Sequence, residues 1–209
     1  MKKLAMMLVC VMTVGVLGGC GSSFDAAAYT KALLDNSYKN DSTQFVSTKV
    51  GTAEQAAELY EQGIDAQLDA LLVGMDVTEE QENEYRDVVG DILAAAKYTV
   101  GAAEKQDDGS FIVTVSCEKM HIFNAALEDF EAQYEAKYAE LMESETGMSE
   151  DEITDWYLET LKNSLTTALA NATYDAPVDT TIHIELSDRV YSPNANDLVT
   201  LSNALFDNE

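Results

Sequence analysis

The spacing of the apolar residues changes four times along this chain, and these changes restrict the fold classes open to it. Apolar residues recur three and four positions apart up to Ala96 and then alternate with polar residues from Tyr98 to Met120. The helical spacing returns until Leu169, and the alternation reappears at Val178. The pattern predicts helices and strands in the order α-α-α-β-β-α-α-β-α.

Short polar motifs mark where several of these helices begin. Capping boxes, in which a Ser or Thr and a Glu or Gln three residues later each hydrogen bond to the other's backbone, are expected at Thr52, Thr78 and Ser149. Asp25 and Asn124 are short polar side chains that directly precede two further apolar helical patterns. We therefore predict that Asp25 and Asn124 cap those two helices.

The alternating segments predict three strands. Residues 98–105 and 110–120 flank the Asp108-Gly109 pair, which is typical of a tight hairpin turn. Gly101 is expected to mark a bulge in the first of these strands. Residues 178–186 alternate strictly between apolar and polar side chains, as a half-buried strand does.

The predicted fold class is therefore α+β, with a three-stranded antiparallel sheet and about six helices packed on one of its faces. A long helical hairpin lies between strands two and three, either packed on the body or projecting as a separate lobe. Residues 40–51 are expected to form a loop, and residues 191–194 a turn. Five tyrosines lie on the apolar stripes of predicted helices and are expected to be mostly core residues: Tyr60, Tyr85, Tyr134, Tyr138 and Tyr157.

The charge balance is strongly acidic, with 38 acidic and 12 basic side chains and a formal net charge of −26. If an N-terminal leader that contains Lys2 and Lys3 is removed, 38 acidic and 10 basic residues remain, and the formal net charge becomes −28. Such a surface repels phosphate backbones and anionic headgroups, so we expect no nucleic acid partner and no membrane docking through surface charge. The apolar content of 46% is ordinary for a globular protein, so we expect the acids to lie on a folded surface.

The first twenty residues have the pattern of an export signal. A basic start, Met1 to Lys3, precedes an uncharged apolar run from Leu4 to Leu17, which is too short to span a bilayer comfortably. The run ends in Leu17-Gly18-Gly19-Cys20. An ordinary secretory leader with a chance cysteine is the alternative interpretation.

These four residues resemble the lipobox of bacterial lipoproteins. The resemblance implies that lipoprotein signal peptidase recognises Leu17, Gly18 and Gly19, and that diacylglycerol is attached to the thiol of Cys20. We therefore expect residues 1–19 to be a signal peptide, residues 20–23 a lipidated tether and residues 24–209 a single α+β globular domain. The lipid would hold that domain on the extracytoplasmic face of the cell membrane.

The side chains that most often carry chemistry all have a structural interpretation here. Cys117 lies on the apolar face of its strand and is expected to be a buried, inert thiol without a disulfide partner. His121 and His183 are the only two histidines, and His183 is expected to be exposed. Acidic runs within residues 76–84 and 143–152 are typical of solvated helix ends. We expect no metal site, no cofactor and no catalytic constellation.

Three further sequence tags accompany the lipobox: Phe24-Asp25 before a helix, Tyr98-Thr99-Val100-Gly101 entering a hairpin, and Tyr191-Ser192-Pro193-Asn194 before the final helix. With them, the chain resembles a group of small uncharacterised lipoproteins of Gram-positive gut bacteria, with a domain of unknown function. The resemblance implies location and fold but no activity. We expect a non-catalytic binding or interaction module whose partner is an envelope protein or a small ligand. The alternative is a cell-envelope hydrolase that uses paired carboxylates.

Overall fold

The described residues form helices and an antiparallel sheet, which confirms the α+β class. The structure, a computed structural model, describes residues 16–17, 24–143 and 147–207. Within these residues the chain forms seven helices: α1 (Ala26–Lys39), α2 (Thr43–Ser47), α3 (Ala53–Leu71), α4 (Glu79–Ala94), α5 (Phe123–Glu143), α6 (Glu150–Ala170) and α7 (Ala195–Leu205).

The described strands form one larger sheet and one short ladder. The strands are β1 (Val16–Leu17), β2 (Lys97–Lys105), β3 (Phe111–Glu118), β4 (Met120–His121), β5 (Thr173–Tyr174), β6 (Val178–Ser187) and β7 (Val190–Pro193). The main sheet has the order β7-β6-β3-β2, and β1 pairs with the outer edge of β7. The two-residue strands β4 and β5 pair with each other at the base of the α5–α6 hairpin.

The prediction of three sheet strands is wrong, because β7 was predicted as a turn. It pairs antiparallel with β6, with Leu186 opposite Tyr191. The turn that joins β6 to β7 is formed by Asp188 and Arg189, both with positive φ (50° and 68°). Two-residue hairpin turns need this conformation but usually contain glycine, so the sequence gives no ordinary turn signal here.

The β2–β3 hairpin matches the prediction. The pairing register shifts between Val100 and Ala103, which confirms a bulge at Gly101. Gly109 has a φ of +89°, a left-handed conformation that the turn requires and that glycine adopts without strain.

Helices cover one face of the main sheet, as predicted. Helix α1 lies against β2 and β3, and α7 lies against β3 and β6. The side chains beneath them are fully buried, namely Val113, Val115, Cys117, Ile182 and Ile184. The alternate residues of β6, such as Thr181 and His183, are exposed on the opposite face.

Local cap signals were accurate for four helices. The side chain of Asp25 caps α1, and the capping boxes at Thr52, Thr78 and Ser149 are present at the starts of α3, α4 and α6. The predicted loop 40–51 is wrong in part, because it contains the short helix α2. The ring of Phe45 in α2 is fully buried, so this segment contributes to the core.

Candidate interaction surface

The α5–α6 hairpin begins and ends at the β4–β5 ladder, and an acidic side chain fixes the start of α5. The carboxylate of Asp207 accepts hydrogen bonds from the backbone N–H groups of Ile122 at 3.0 Å, Phe123 at 2.9 Å and Asn124 at 3.2 Å. N–H groups at the start of a helix have no acceptor within the helix, so this carboxylate supplies one. The predicted cap Asn124 is wrong, since it lies within the first turn.

A row of aromatic rings connects the buried part of the hairpin to its surface. The ring of Phe130, which is buried, meets Tyr157 of α6 edge to face, with centroids 4.9 Å apart. Phe130 is also 6.3 Å from Tyr134, and Tyr134 is 6.3 Å from Trp156 of α6. The row therefore holds α5 against α6 and extends outward from Phe130.

Beyond Phe130 the apolar stripe of α5 is open to solvent. Tyr134, Tyr138 and Met142 are 42%, 57% and 71% exposed, and Ile153 of α6 is 46% exposed. We call these four residues the hairpin surface. None of residues 131–143 is buried. The prediction that Tyr134 and Tyr138 lie in the core is therefore wrong.

Acidic side chains surround the hairpin surface. Helix α5 contains six acidic residues and α6 contains five, against one lysine on each helix. Lys137 is paired with Glu140 at 3.0 Å, and Lys162 reaches across to Glu84 of α4. The hairpin thus combines an exposed aromatic and aliphatic stripe with a strongly negative rim.

The thiol and imidazole groups are placed much as the sequence predicts. Cys117 is buried, and burial, with a smaller contribution from the nearby carboxylate of Asp179, raises the pKa of its thiol to about 12. His183 is exposed, and its Nδ1 lies 2.7 Å from Oδ2 of Asp197. His121 lies at the base of the hairpin with Nε2 3.0 Å from Oδ1 of Asp175.

Several exposed carboxyl groups have a lowered pKa because they accept hydrogen bonds in turns and caps. The side chain of Ser110 lowers the pKa of Asp108, and the backbone of Ser149 lowers that of Glu152. A carboxyl group that serves as a general acid needs a shift in the opposite direction. Glu145 of the predicted acidic run lies outside the described residues. In the described part of the chain, no group of three His, Cys, Asp or Glu residues could hold a metal ion.

An open groove of about 520 Å³ lies between the end of α1 and helices α3 and α4. Its wall includes Lys39, Tyr60 and Arg86. The guanidinium of Arg86 already bonds to Glu61 at 3.0 Å and Asp65 at 2.6 Å, so this cation is neutralised within the protein. The groove therefore offers weaker grounds for a binding site than the hairpin surface.

The residues that the sequence assigns to lipid attachment are only partly described. Leu17 lies in β1, whereas Gly18, Gly19 and Cys20 lie outside the described residues. Among the helices of the described segments, no helix combines the length and the hydropathy needed to cross a membrane.

No protein-family model, no curated protein and no solved structure matches this chain. Its interpretation therefore depends on its own residues and geometry.

The residues that sequence reasoning missed were missed for two reasons. An apolar stripe shows which side of a helix is apolar but not whether a neighbouring element covers that side, so Tyr134 and Tyr138 were predicted to be core residues. The acidic residues on both sides of the stripe in α5 could have indicated this exposure, because they make its apolar face narrow. A helix that is covered by several elements usually has a wider apolar face than one that packs on a single partner helix. Asp207 is too distant in sequence from Ile122 for any local pattern to connect them.

Proposed function

We propose that this protein is an exported lipoprotein, attached through Cys20 to the extracytoplasmic face of the cell membrane, whose domain binds a protein partner through the hairpin surface. The lipobox from Leu17 to Cys20 supports the anchor. The exposed aromatic and aliphatic stripe on α5, which packs mainly on α6, supports the binding role, and it is the observation on which this proposal depends most.

The hairpin surface has the composition of a protein interface. Tyrosine and methionine, which make up three of its four residues, are enriched where proteins bind one another, and aromatic residues contribute much of the affinity in many interfaces. Fully burying an exposed side chain of this size is worth about 1.5–3 kcal/mol. Because Tyr138 and Met142 are more than half exposed, a partner that covers them gains much of that energy.

The surrounding charge specifies the partner further. The eleven acidic residues on α5 and α6 favour a partner whose apolar contact area is bordered by lysine and arginine. The same charge disfavours an anionic lipid surface as the occupant. The partner that this surface suits best is thus a protein of the cell envelope with a basic rim around an apolar groove.

The anchor is tested by metabolic labelling with an alkyne fatty acid in a bacterial host that expresses the full chain. Label should appear on the wild-type protein and disappear in Cys20→Ser, which should also keep its leader. Cys10→Ser and Cys117→Ser are the matched controls and should retain the label. Equal labelling of Cys20→Ser and wild type would show that this cysteine is not the attachment site.

The binding surface is tested with a photoreactive phenylalanine analogue placed at Tyr138 in the full chain. Val73, which is 76% exposed between α3 and α4, provides an apolar control position that is more accessible than Tyr138. Irradiation of intact cells should give a discrete crosslinked species from position 138 and none from position 73. The same pattern from both positions, or no species from position 138, would refute a specific role for the hairpin surface.

A further inference from the structure

The first described residue after Cys20 is held firmly against the sheet. The ring of Phe24 stacks on that of Tyr191, with centroids 3.9 Å apart and planes within 6°. Phe24 also contacts Tyr29 at 5.3 Å and Phe111 at 5.6 Å. Because three rings surround Phe24, the chain leaves the folded domain at a defined point.

This exit point lies at one end of the main sheet. Tyr191 pairs with Leu186 close to the β6–β7 turn, and Phe111 is the first residue of β3, directly after the β2–β3 turn. The two turns are neighbours, since a Cβ built on Gly109 would lie 3.2 Å from Cδ2 of Leu186. We call this region, residues 106–109 and 188–189 together with Leu186, the turn end.

The described segment before Cys20 lies in the same region. Before residues 1–19 are cleaved, Val16 of β1 is paired with Tyr191, and in the lipidated product the stacking of Phe24 on Tyr191 fixes the exit point. Four residue steps separate Cys20 from Phe24, a distance of at most about 14 Å even in a fully extended chain. A lipid on Cys20 therefore cannot lie far from the turn end.

We propose that the tether orients the domain, so that the turn end faces the lipid headgroups and the base of the α5–α6 hairpin is held away from them. This inference rests on the proposed lipid attachment at Cys20. The hairpin base follows the opposite end of β3, whose eight residues span about 26 Å.

Attraction to the headgroups is not needed for this orientation. The turn end and its border carry charges of both signs, with Lys105 and Arg189 beside Asp107, Asp108 and Asp188. Such a mixed surface gives little net attraction to an anionic membrane. The short tether and the stacking of Phe24 on Tyr191 therefore set the orientation.

Two positions on one strand provide a matched test. Leu186 and Val178 lie at opposite ends of β6, on the same side of the strand, and are 39% and 65% exposed. Leu186→Cys and Val178→Cys would each be labelled with a fluorophore, because the native Cys117 is buried and its raised pKa keeps it protonated. The lipidated products, made in bacteria from the full chain, would be reconstituted in phosphatidylcholine vesicles that contain a lipid with a nitroxide on its headgroup.

Nitroxide quenching should be at least twofold stronger at position 186 than at position 178. Equal quenching, or stronger quenching at position 178, would overturn the proposed orientation. Inserting ten Gly and Ser residues after Ser23 should lower quenching at position 186 toward that at position 178, and no change on insertion would also count against the proposal.

Mass spectrometry of the same samples separates the two ideas. A lipid on Cys20 together with equal quenching at the two positions would refute the orientation alone. A product without lipid on Cys20 would refute the proposed anchoring, and the orientation with it.

Discussion

The carboxylate of Asp207 accepts a hydrogen bond from the backbone N–H of Ile122 at 3.0 Å, although the two residues are 85 positions apart. The neighbouring backbone supports this contact, because Phe206 forms a parallel bridge with Met120 and the N–H of Asp207 donates to the carbonyl of Met120 at 3.2 Å. The segment after α7 therefore fixes the position at which the α5–α6 hairpin begins.

Replacing Asp207 with alanine should destabilise the protein by about 1–3 kcal/mol, because three N–H groups lose their acceptor. Urea denaturation followed by circular dichroism would measure the loss. Asp175→Ala is the matched control, since that exposed carboxylate lies 3.0 Å from His121, which Asp207 also approaches at 3.9 Å, but caps no helix. Similar losses in the two variants would show that the capping role is unimportant.

The hydroxyl of Tyr85 should contribute measurably to stability. It is buried and donates a hydrogen bond to the backbone carbonyl of Leu158 at 2.7 Å, which joins α4 to α6. Tyr85→Phe should lower the free energy of unfolding by about 1–2 kcal/mol. Tyr138→Phe removes an exposed hydroxyl and should change it by less than about 0.5 kcal/mol. A neutral Tyr85→Phe variant would contradict this assignment.

The aromatic row on the hairpin should show a gradient of stability effects. Phe130→Ala removes a buried ring and should cost about 3–5 kcal/mol. Met142→Ala, at a position 71% exposed, should stay within about 0.5 kcal/mol of the wild type. Thermal unfolding of both variants would test this. A large loss in Met142→Ala would mean that the hairpin surface serves folding rather than binding.

Two glycines should respond to alanine in opposite directions. Gly63 lies within α3, and a Cβ there meets no other group within 4 Å, so Gly63→Ala should stabilise by about 0.5–1 kcal/mol. Gly109 has a φ of +89°, so Gly109→Ala should destabilise by about 1 kcal/mol. Chemical denaturation would measure the free energy of unfolding of both variants. Changes of the same sign in the two variants would be inconsistent with these backbone conformations.

The thiol of Cys117 should resist modification while the protein is folded. Its pKa is raised from 9.0 to about 12 by burial, so at pH 8 a disulfide reagent should react only after unfolding. The pKa of this thiol is higher in the folded protein than in the unfolded chain. Its contribution to the free energy of unfolding is therefore fully present below pH 9 and is lost as the pH rises toward 12. Cys117→Ala should therefore lose less stability between pH 8 and pH 11 than the wild type.

Much of the secondary structure could be predicted because its signals are local. The three capping boxes, the Asp108-Gly109 turn and the alternation of residues 178–186 each depend on residues only a few positions apart. The burial of Ile182 and Ile184 follows from that alternation. Val178 and Leu186 share the same face but are exposed, because the helices do not cover the ends of β6 as they cover its middle.

The remaining features depend on contacts that no short window contains. The strand β7 was missed because its turn uses Asp188 and Arg189 rather than glycine. The cap on α5 comes from Asp207, and the exposure of Tyr138 depends on where the body of the protein ends. For the candidate site, the sequence thus located the helices and their apolar stripe but not the solvent exposure of that stripe.

The capping contact of Asp207 also has a consequence for the order in which this protein matures. The ribosome makes the residues of the first turn of α5 long before it makes Asp207, so until then these N–H groups can bond only to water. Doubling the length of a loop adds only about 0.6 kcal/mol to the entropic cost of closing it, so the long separation from Ile122 to Asp207 is a small thermodynamic penalty. The delay is therefore set by the order in which the chain is made and exported, and chains that end before residue 207 should keep a frayed α5 entrance.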